Sequence, residues 1–232
     1  MRYSVPLEEV RLIRRYKRFL ADVERADGEQ MTVHCANPGS MMGLAEPGVR
    51  AFVSDSGNPK RKLPMSLELV EARGTLVNVN TGRVNAVARE ALEAGAIAEL
   101  APLSEVRPEP RLASGSRLDF VAESANGPVY IEVKSVTLVR ERGLAEFPDA
   151  KTTRGARHLE ELIALKAEKA RAAMLFLVQR GDGVQFAPAR DIDPAYAEAL
   201  ARASHAGVDI LCYSCLIGLE GIEIDTALPI RL

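Results

Sequence analysis

Tryptophan is absent from the 232-residue chain, and aromatic side chains make up only 5% of it, so a core must be filled mainly by aliphatic residues. No apolar run approaches the roughly 20 residues that span a membrane. The opening MRYSVPLEEV lacks the apolar stretch of a secretory signal. Both absences predict a cytoplasmic protein with no membrane partner. Only three cysteines occur, Cys35, Cys212 and Cys215, and an odd count without a signal argues against a disulfide framework. Cys212 and Cys215 form one C-x-x-C inside VDILCYSCLIG. A zinc site needs two further ligands, and no second pair exists. They read as small buried hydrophobes. Neither a G-x-G-x-x-G nor a P-loop is present, which disfavours a nucleotide-binding regulatory module.

Excess charge is missing too. The net charge of −2 excludes a globally basic chain. It does not exclude a local patch, and local patches steer charged partners. Residues 1–62 hold eleven Lys+Arg against eight Asp+Glu, while the remainder holds nineteen against twenty-four.

The first third is β-rich. RYKRFLADVERADGEQMTVHCANPG predicts a strand, a turn near Asp27–Gly28 and a second strand ending at Asn37–Pro38–Gly39. Shorter strands separated by Gly, Asn and Pro follow. Such spacing predicts a small OB-like β-barrel over residues 1–82. From Val84 the pattern changes to helix, three strands, helix, strand, helix, strand. That order predicts a covered α/β sheet over residues 83–232, and the lack of a linker predicts two domains packed together. No two helices are arranged as a helix-turn-helix.

YIEVKS, residues 130–135, is the most informative stretch. Ile131 and Val133 point one way, Glu132 and Lys134 the other. In the preceding strand Asp119 sits between Leu118 and Phe120. If the two strands form a hairpin, Asp119 shares the face of Glu132 and Lys134 only when it opposes position 132 or 134. A two-residue Asn126–Gly127 turn places it opposite Lys134. A four-residue Ser124–Gly127 loop places it opposite Glu132, and Pro128 favours this loop because it has no N–H to close the tighter turn. On an edge hairpin these charges are a surface salt bridge worth little. On a central strand they need a compensating partner, and a divalent cation such as Mg²⁺ suits paired carboxylates.

Asp119 followed by Glu132-Val133-Lys134 resembles the PD-(D/E)-x-K signature of restriction-endonuclease-like nucleases, with Leu118 where the proline usually stands. RYKRFLADV, VHCANPGSM, KRKLP, VNTGRVN, SRLDF, YIEVKSVTL, FPDAKTTRGARHLEEL, LFLVQR, FAPA and AGVDILCY together resemble the sugar fermentation stimulation protein A family. Pro38 stands where many relatives have Thr. The resemblance implies an N-terminal OB-like domain followed by a nuclease-like αβββαβ domain, and DNA binding.

It also implies roles. Asp119, Glu132 and the carbonyl of Val133 hold Mg²⁺ or Mn²⁺, and Lys134 orients the attacking water. A further acid comes from the first helix, Glu90 ahead of Glu93. Lys151, Thr152, Thr153, Arg154 and His158, around a helix start, meet phosphate, with Gln179 a further candidate. In the N-terminal region Arg11, Arg14, Arg15, Lys17 and Arg18 interleave with Tyr16 and Phe19, the pattern of a single-strand groove. Phe19, alternating with Ala21 and Val23, is expected in the core. His34, Asn37, Gly39 and Ser40 form a polar turn that faces either nucleic acid or the second domain, and Lys60–Lys62 is a second basic cluster. Two functions follow from the resemblance: a metal-dependent deoxyribonuclease, paired as a homodimer if it cuts both strands, or a non-cleaving DNA-binding regulator of sugar-fermentation (maltose-type) metabolism. Single-stranded, double-stranded and branched DNA all stay open as partners.

Overall fold

A computed structural model describes residues 1–112 and 114–232. The N-terminal unit contains β1 (Glu8–Tyr16), β2 (Leu20–Glu24), β3 (Gln30–His34), β4 (Arg50–Asp55), β5 (Met65–Ala72) and β6 (Thr75–Asn78). The sheet runs β3-β2-β1-β4-β5-β6, and a parallel bridge from His34 to Ser66 closes the first five strands into an OB-like barrel. Leu12, Val23, Val33, Leu67 and Val70 fill it. Each such fully buried side chain contributes about 1.5–3 kcal/mol.

The stretch Arg15–Val23 is not one strand. Tyr16 pairs with Leu20, and Lys17 and Arg18 turn the chain with positive φ of 46° and 62°. Phe19 lies beyond the last rung, 45% exposed and stacked on His34 with centroids 6.4 Å apart. It is therefore outside the core. Alternation fails here because it holds only inside a continuous strand.

The C-terminal unit follows the predicted order: α1 (Val84–Glu93), β7 (Ser104–Pro108), β8 (Phe120–Ser124), β9 (Gly127–Val136), then β10 (Leu138–Val139), β11 (Leu144–Phe147), α2 (Thr153–Ala167), β12 (Arg171–Val178), β13 (Gln185–Pro188), α3 (Pro194–His205), β14 (Asp209–Ile217) and β15 (Ile222–Ala227). The main sheet is ordered β15-β14-β12-β9-β8-β7. β9 and β14 flank β12 in parallel, so β9 is interior and not an edge. Ile131, Val133, Leu175 and Leu177 face α1, whereas Met174, Phe176 and Val178 face α2 and α3. Phe147, Phe176, Phe186 and Tyr196 make an aromatic cluster on the second face. In the small β10-β11-β13 sheet, β10 continues the stretch read as strand and β11 lies in the following stretch read as polar loop, while β15 adds an antiparallel edge to the main sheet. Strands of two to four residues are too short to show a period. All three cysteines are free and buried. Among the described residues, no helix is long and apolar enough to cross a membrane.

Asn78, Glu68 and Asp149 are among the residues whose polar contacts join the units. Asn78 donates to Gln179 twice, backbone to backbone at 3.0 Å and side chain to side chain at 2.7 Å. Glu68, 0% exposed on β5, accepts from Arg83 at 2.9 and 2.5 Å, Ser54 at 2.6 Å and Asn80 at 2.9 Å. A buried carboxylate is tolerable when its acceptor capacity is filled in this way. Asp149 reaches from the sheet unit into the NPGSM turn. Its carboxylate accepts from Met41 N–H at 3.0 Å and from the Ser40 hydroxyl at 3.2 Å.

Gly39 is the tight point of that seam. A Cβ there would lie 2.5 Å from both Asp149 carboxylate oxygens. Gly39→Ala must displace a carboxylate already held by two donors, so it is expected to destabilise the protein by about 1–3 kcal/mol. Urea unfolding checks this; in a double-mutant cycle with Asp149→Ala the cost should shrink.

Candidate functional site

The β8–β9 ladder pairs Phe120 with Ile131 and Ser124 with Gly127. This is the register expected of the longer loop, although a two-residue Ala125–Asn126 turn makes it, with Pro128 inside the ladder opposite Glu123; its continuation brings Asp119 opposite Glu132. Asp119 bends back onto β9, where its Oδ2 accepts from Val133 N–H at 2.8 Å, and Asn85 of α1 donates to its Oδ1 at 2.8 Å. The two acids thus meet at the end of β8 on an interior strand.

Glu132 is the centre of the cluster, 2% exposed. Its Oε1 takes both the Lys134 ammonium and His158 Nδ1. Arg154 donates to His158 Nε2 at 3.3 Å, which leaves Nδ1 as the protonated nitrogen that donates to Glu132. Glu132 Oε2 is buried and has no partner among the described residues. Burial drives the Glu132 carboxyl upward, but the His158 hydrogen bond and the Lys134 charge outweigh it and hold the group below the ordinary range. Asp119 goes the other way: burial first and Glu132 second push it above its ordinary range, against the Val133 N–H, Asn85 and Lys134. Glu132 is a settled anion, while Asp119 carries a charge that gains from a cation.

Several expected residues lie elsewhere. Glu90 is paired with the Met1 amine and Glu93 with Arg89; the α1 side chain that reaches Asp119 is Asn85. α1 covers the opposite face of the sheet, so only a residue in its first turn meets the strand end. Asn85 stands in VNTGRVN as an unremarkable polar residue, and nothing in its spacing marks it. Gln179 is fully buried and bound to Asn78 and Cys215. His158, 2% exposed, contacts Glu132 and Arg154, not solvent.

The basic stripe divides. Arg15 donates to the carbonyls of Asn37, Gly39 and Ser40, so it clamps a loop. Arg14 is exposed, bonded to Asp22 and stacked over Tyr16. Lys17 and Arg18 stand exposed at the β1–β2 turn. Asn37 is buried and tied to Val79, and Ser40 is tied to Asp149, so the polar turn faces the second domain. His34 is partly buried under Phe19, which together with Arg61 lowers its basicity in the order burial, then Arg61. Lys151, Thr153 and Arg154 are exposed at the start of α2, where the Thr152 hydroxyl caps Gly155 N–H at 3.1 Å. A cavity of about 620 Å³ runs between the units, bounded by Arg18, Asn37, Lys134, Asp149, Lys151 and Arg154 among others.

With this geometry in place, comparison with known proteins gives a consistent result. Residues 82–221 match the family model described as the sugar fermentation stimulation protein RE domain, and residues 13–79 match the SfsA N-terminal OB domain. A sugar fermentation stimulation protein homolog from Chelativorans sp. (strain BNC1) is 49% identical over 226 residues, covering 97% of each chain. A homolog from Pseudomonas aeruginosa PAO1 is 49% identical over 235 residues, covering 100% of each. Among solved structures, Pyrococcus furiosus SfsA in complex with Ca²⁺ superposes with a TM-score of 0.91 at 29% identity, over 100% of this chain and 98% of that one.

The raised Asp119 carboxyl has a consequence for stability. Its folded pKa exceeds its unfolded one, so the stability it contributes is present below the unfolded value and lost as pH rises through the folded value. Asp119→Asn keeps an acceptor for Val133 N–H without the charge. In chelator, D119N is expected to exceed the parent by roughly 0.5–2 kcal/mol near neutral pH, with the gap closing towards about pH 4. Urea unfolding at the two pH values measures it, and a D119N protein less stable than the parent at neutral pH would contradict the placement.

Proposed function

Because the chain belongs to the sugar fermentation stimulation protein family, we propose that it binds DNA and hydrolyses phosphodiester bonds at Asp119, Glu132 and Lys134 with a divalent cation. The observation that carries this reading is the unpartnered, buried Oε2 of Glu132 beside the reluctantly charged Asp119. An acceptor left open at that depth costs about 1–3 kcal/mol unless something fills it.

A divalent cation fits these donors. Among the described residues no cluster of three or more His, Cys, Asp or Glu side chains is arranged for a metal. Two carboxylates and the Val133 carbonyl suffice for a hard ion that keeps most of its waters, as Mg²⁺ does. The Ca²⁺ in the Pyrococcus furiosus relative supports a hard divalent ion, and Mg²⁺ or Mn²⁺ is the working choice. When bound, such an ion neutralises phosphate charge and lowers the pKa of water.

The remaining work falls to the chain itself. His158 and Lys134 pin Glu132 through Oε1, which leaves Oε2 aimed and available. Lys134 also sets a positive charge at the cavity wall, where it stabilises the anionic phosphate and orients the nucleophilic water. Arg154, through His158, keeps the imidazole in the tautomer that donates to Glu132.

The filled Oε1 favours a second reading. With Lys134 and His158 already satisfying half of Glu132, the cluster is partly compensated without metal, as suits a DNA-binding regulator that does not cleave. Incubation of labelled DNA with Mg²⁺ or Mn²⁺ separates the two. Hydrolysis is expected, lowered at least about 100-fold in Glu132→Gln and D119N variants that retain the fold. Cleavage equal to the parent in both would move the site elsewhere. DNA binding without cleavage, indifferent to chelator, would establish the regulator.

A further inference from the structure

We propose that the cleft between barrel and sheet units is a seat for a single DNA strand, one or two nucleotides deep, that meets the acid cluster through Lys134, which lines the cleft and pairs with Glu132. The inference deepens the hydrolytic reading, on which it rests for the bond that is cut but not for the strand that is bound. Its first support is size. At about 620 Å³ the cleft lies in the range of small-ligand sites. Its second is that the walls are fixed. Ser40 and Met41 hold Asp149 across the seam, and Asn78 holds Gln179, so the cleft cannot widen for a duplex without breaking interdomain bonds.

The third support is charge. Arg18 enters from the barrel, and Lys151 and Arg154 from the start of α2, all lining the cleft. None of the three forms an ion pair among the described residues. The acids in the same wall are already used: Glu146 by Arg140, and Asp149 by the NPGSM turn. The lining is thus net positive toward an entering phosphate. Lys134 and Ser135 of β9 also line it, which brings the cleft to the strand that carries Glu132. Beside Arg18, Phe19 is 45% exposed and backed by His34, a supported aromatic face of the kind on which an unpaired base stacks. The hairpin turn that displaces Phe19 from the core is the same turn that sends Arg18 into the cleft.

Fluorescence anisotropy with a labelled oligo-dT and with a blunt hairpin duplex of equal nucleotide number tests this, with chelator and with Ca²⁺. Oligo-dT is expected to bind at least about tenfold tighter than the duplex. Phe19→Ala and Arg18→Ala should each weaken oligo-dT by roughly 5- to 100-fold, with little effect on the duplex. Both side chains are exposed, so neither change threatens the fold. Equal binding of duplex and oligo-dT, or oligo-dT binding indifferent to both variants, would overturn the proposal. Cleavage assays on the same two substrates separate the two readings. No hydrolysis with the binding pattern intact removes the nuclease and keeps the strand seat. Efficient cutting of blunt duplex, unaffected by R18A, removes the strand seat and keeps the nuclease.

Discussion

One buried carboxylate organises the site. Glu132 sits on an interior strand, where an unpaired anion would cost several kcal/mol. The fold answers with two donors on a single oxygen, Lys134 from the same strand and His158 from the helix above it. Satisfying one oxygen twice and the other not at all is a poor way to stabilise a core, but it is a good way to present a fixed ligand. The rest of the cluster follows. Asp119 is drawn alongside by the β8–β9 register and the Val133 N–H, and Asn85 holds its other oxygen. The two acids end with opposite tendencies, one settled as an anion and one held above its ordinary range.

The second constraint is the seam between the units. Glu68, Gln179 and Asp149 are each buried or anchored by partners from the other unit. The barrel therefore stands against the sheet as a wall of the cleft and not as a tethered module. Residues that look in sequence like a nucleic-acid surface, Arg15, Asn37 and Ser40, are consumed in building that wall. The cations of the cleft that form no ion pair among the described residues are Arg18, Lys151 and Arg154, on either side of it, with Arg154 also donating to His158.

Much of this was legible in the chain. The switch from period 2 to period 3.6 near Val84 marked the first helix, and the preferred hairpin register is the one found, although an Ala125–Asn126 turn sets it and not the four-residue loop that Pro128 suggested. Alternation in YIEVKS put Glu132 and Lys134 on one face. What escaped had physical reasons. The turn at Lys17–Arg18 contains neither Gly nor Pro, so positive φ there left no signal, and Phe19 was expected in the core. α1 lies on the far face of the sheet, so its acids do not reach the site, and a first-turn asparagine does. The seam depends on contacts between residues more than a hundred positions apart, such as Asn78 with Gln179, which local pattern cannot show.

Metal binding itself tests the central claim most directly, because it asks whether Glu132 Oε2 and Asp119 form a cation site independently of turnover. Calorimetric titration of Ca²⁺ into the parent, E132Q and D119N serves. One dominant binding event is expected in the parent, weakened at least about tenfold in each variant, while the barrel variant R18A titrates like the parent. Ca²⁺ binding of parental strength in E132Q would contradict the account.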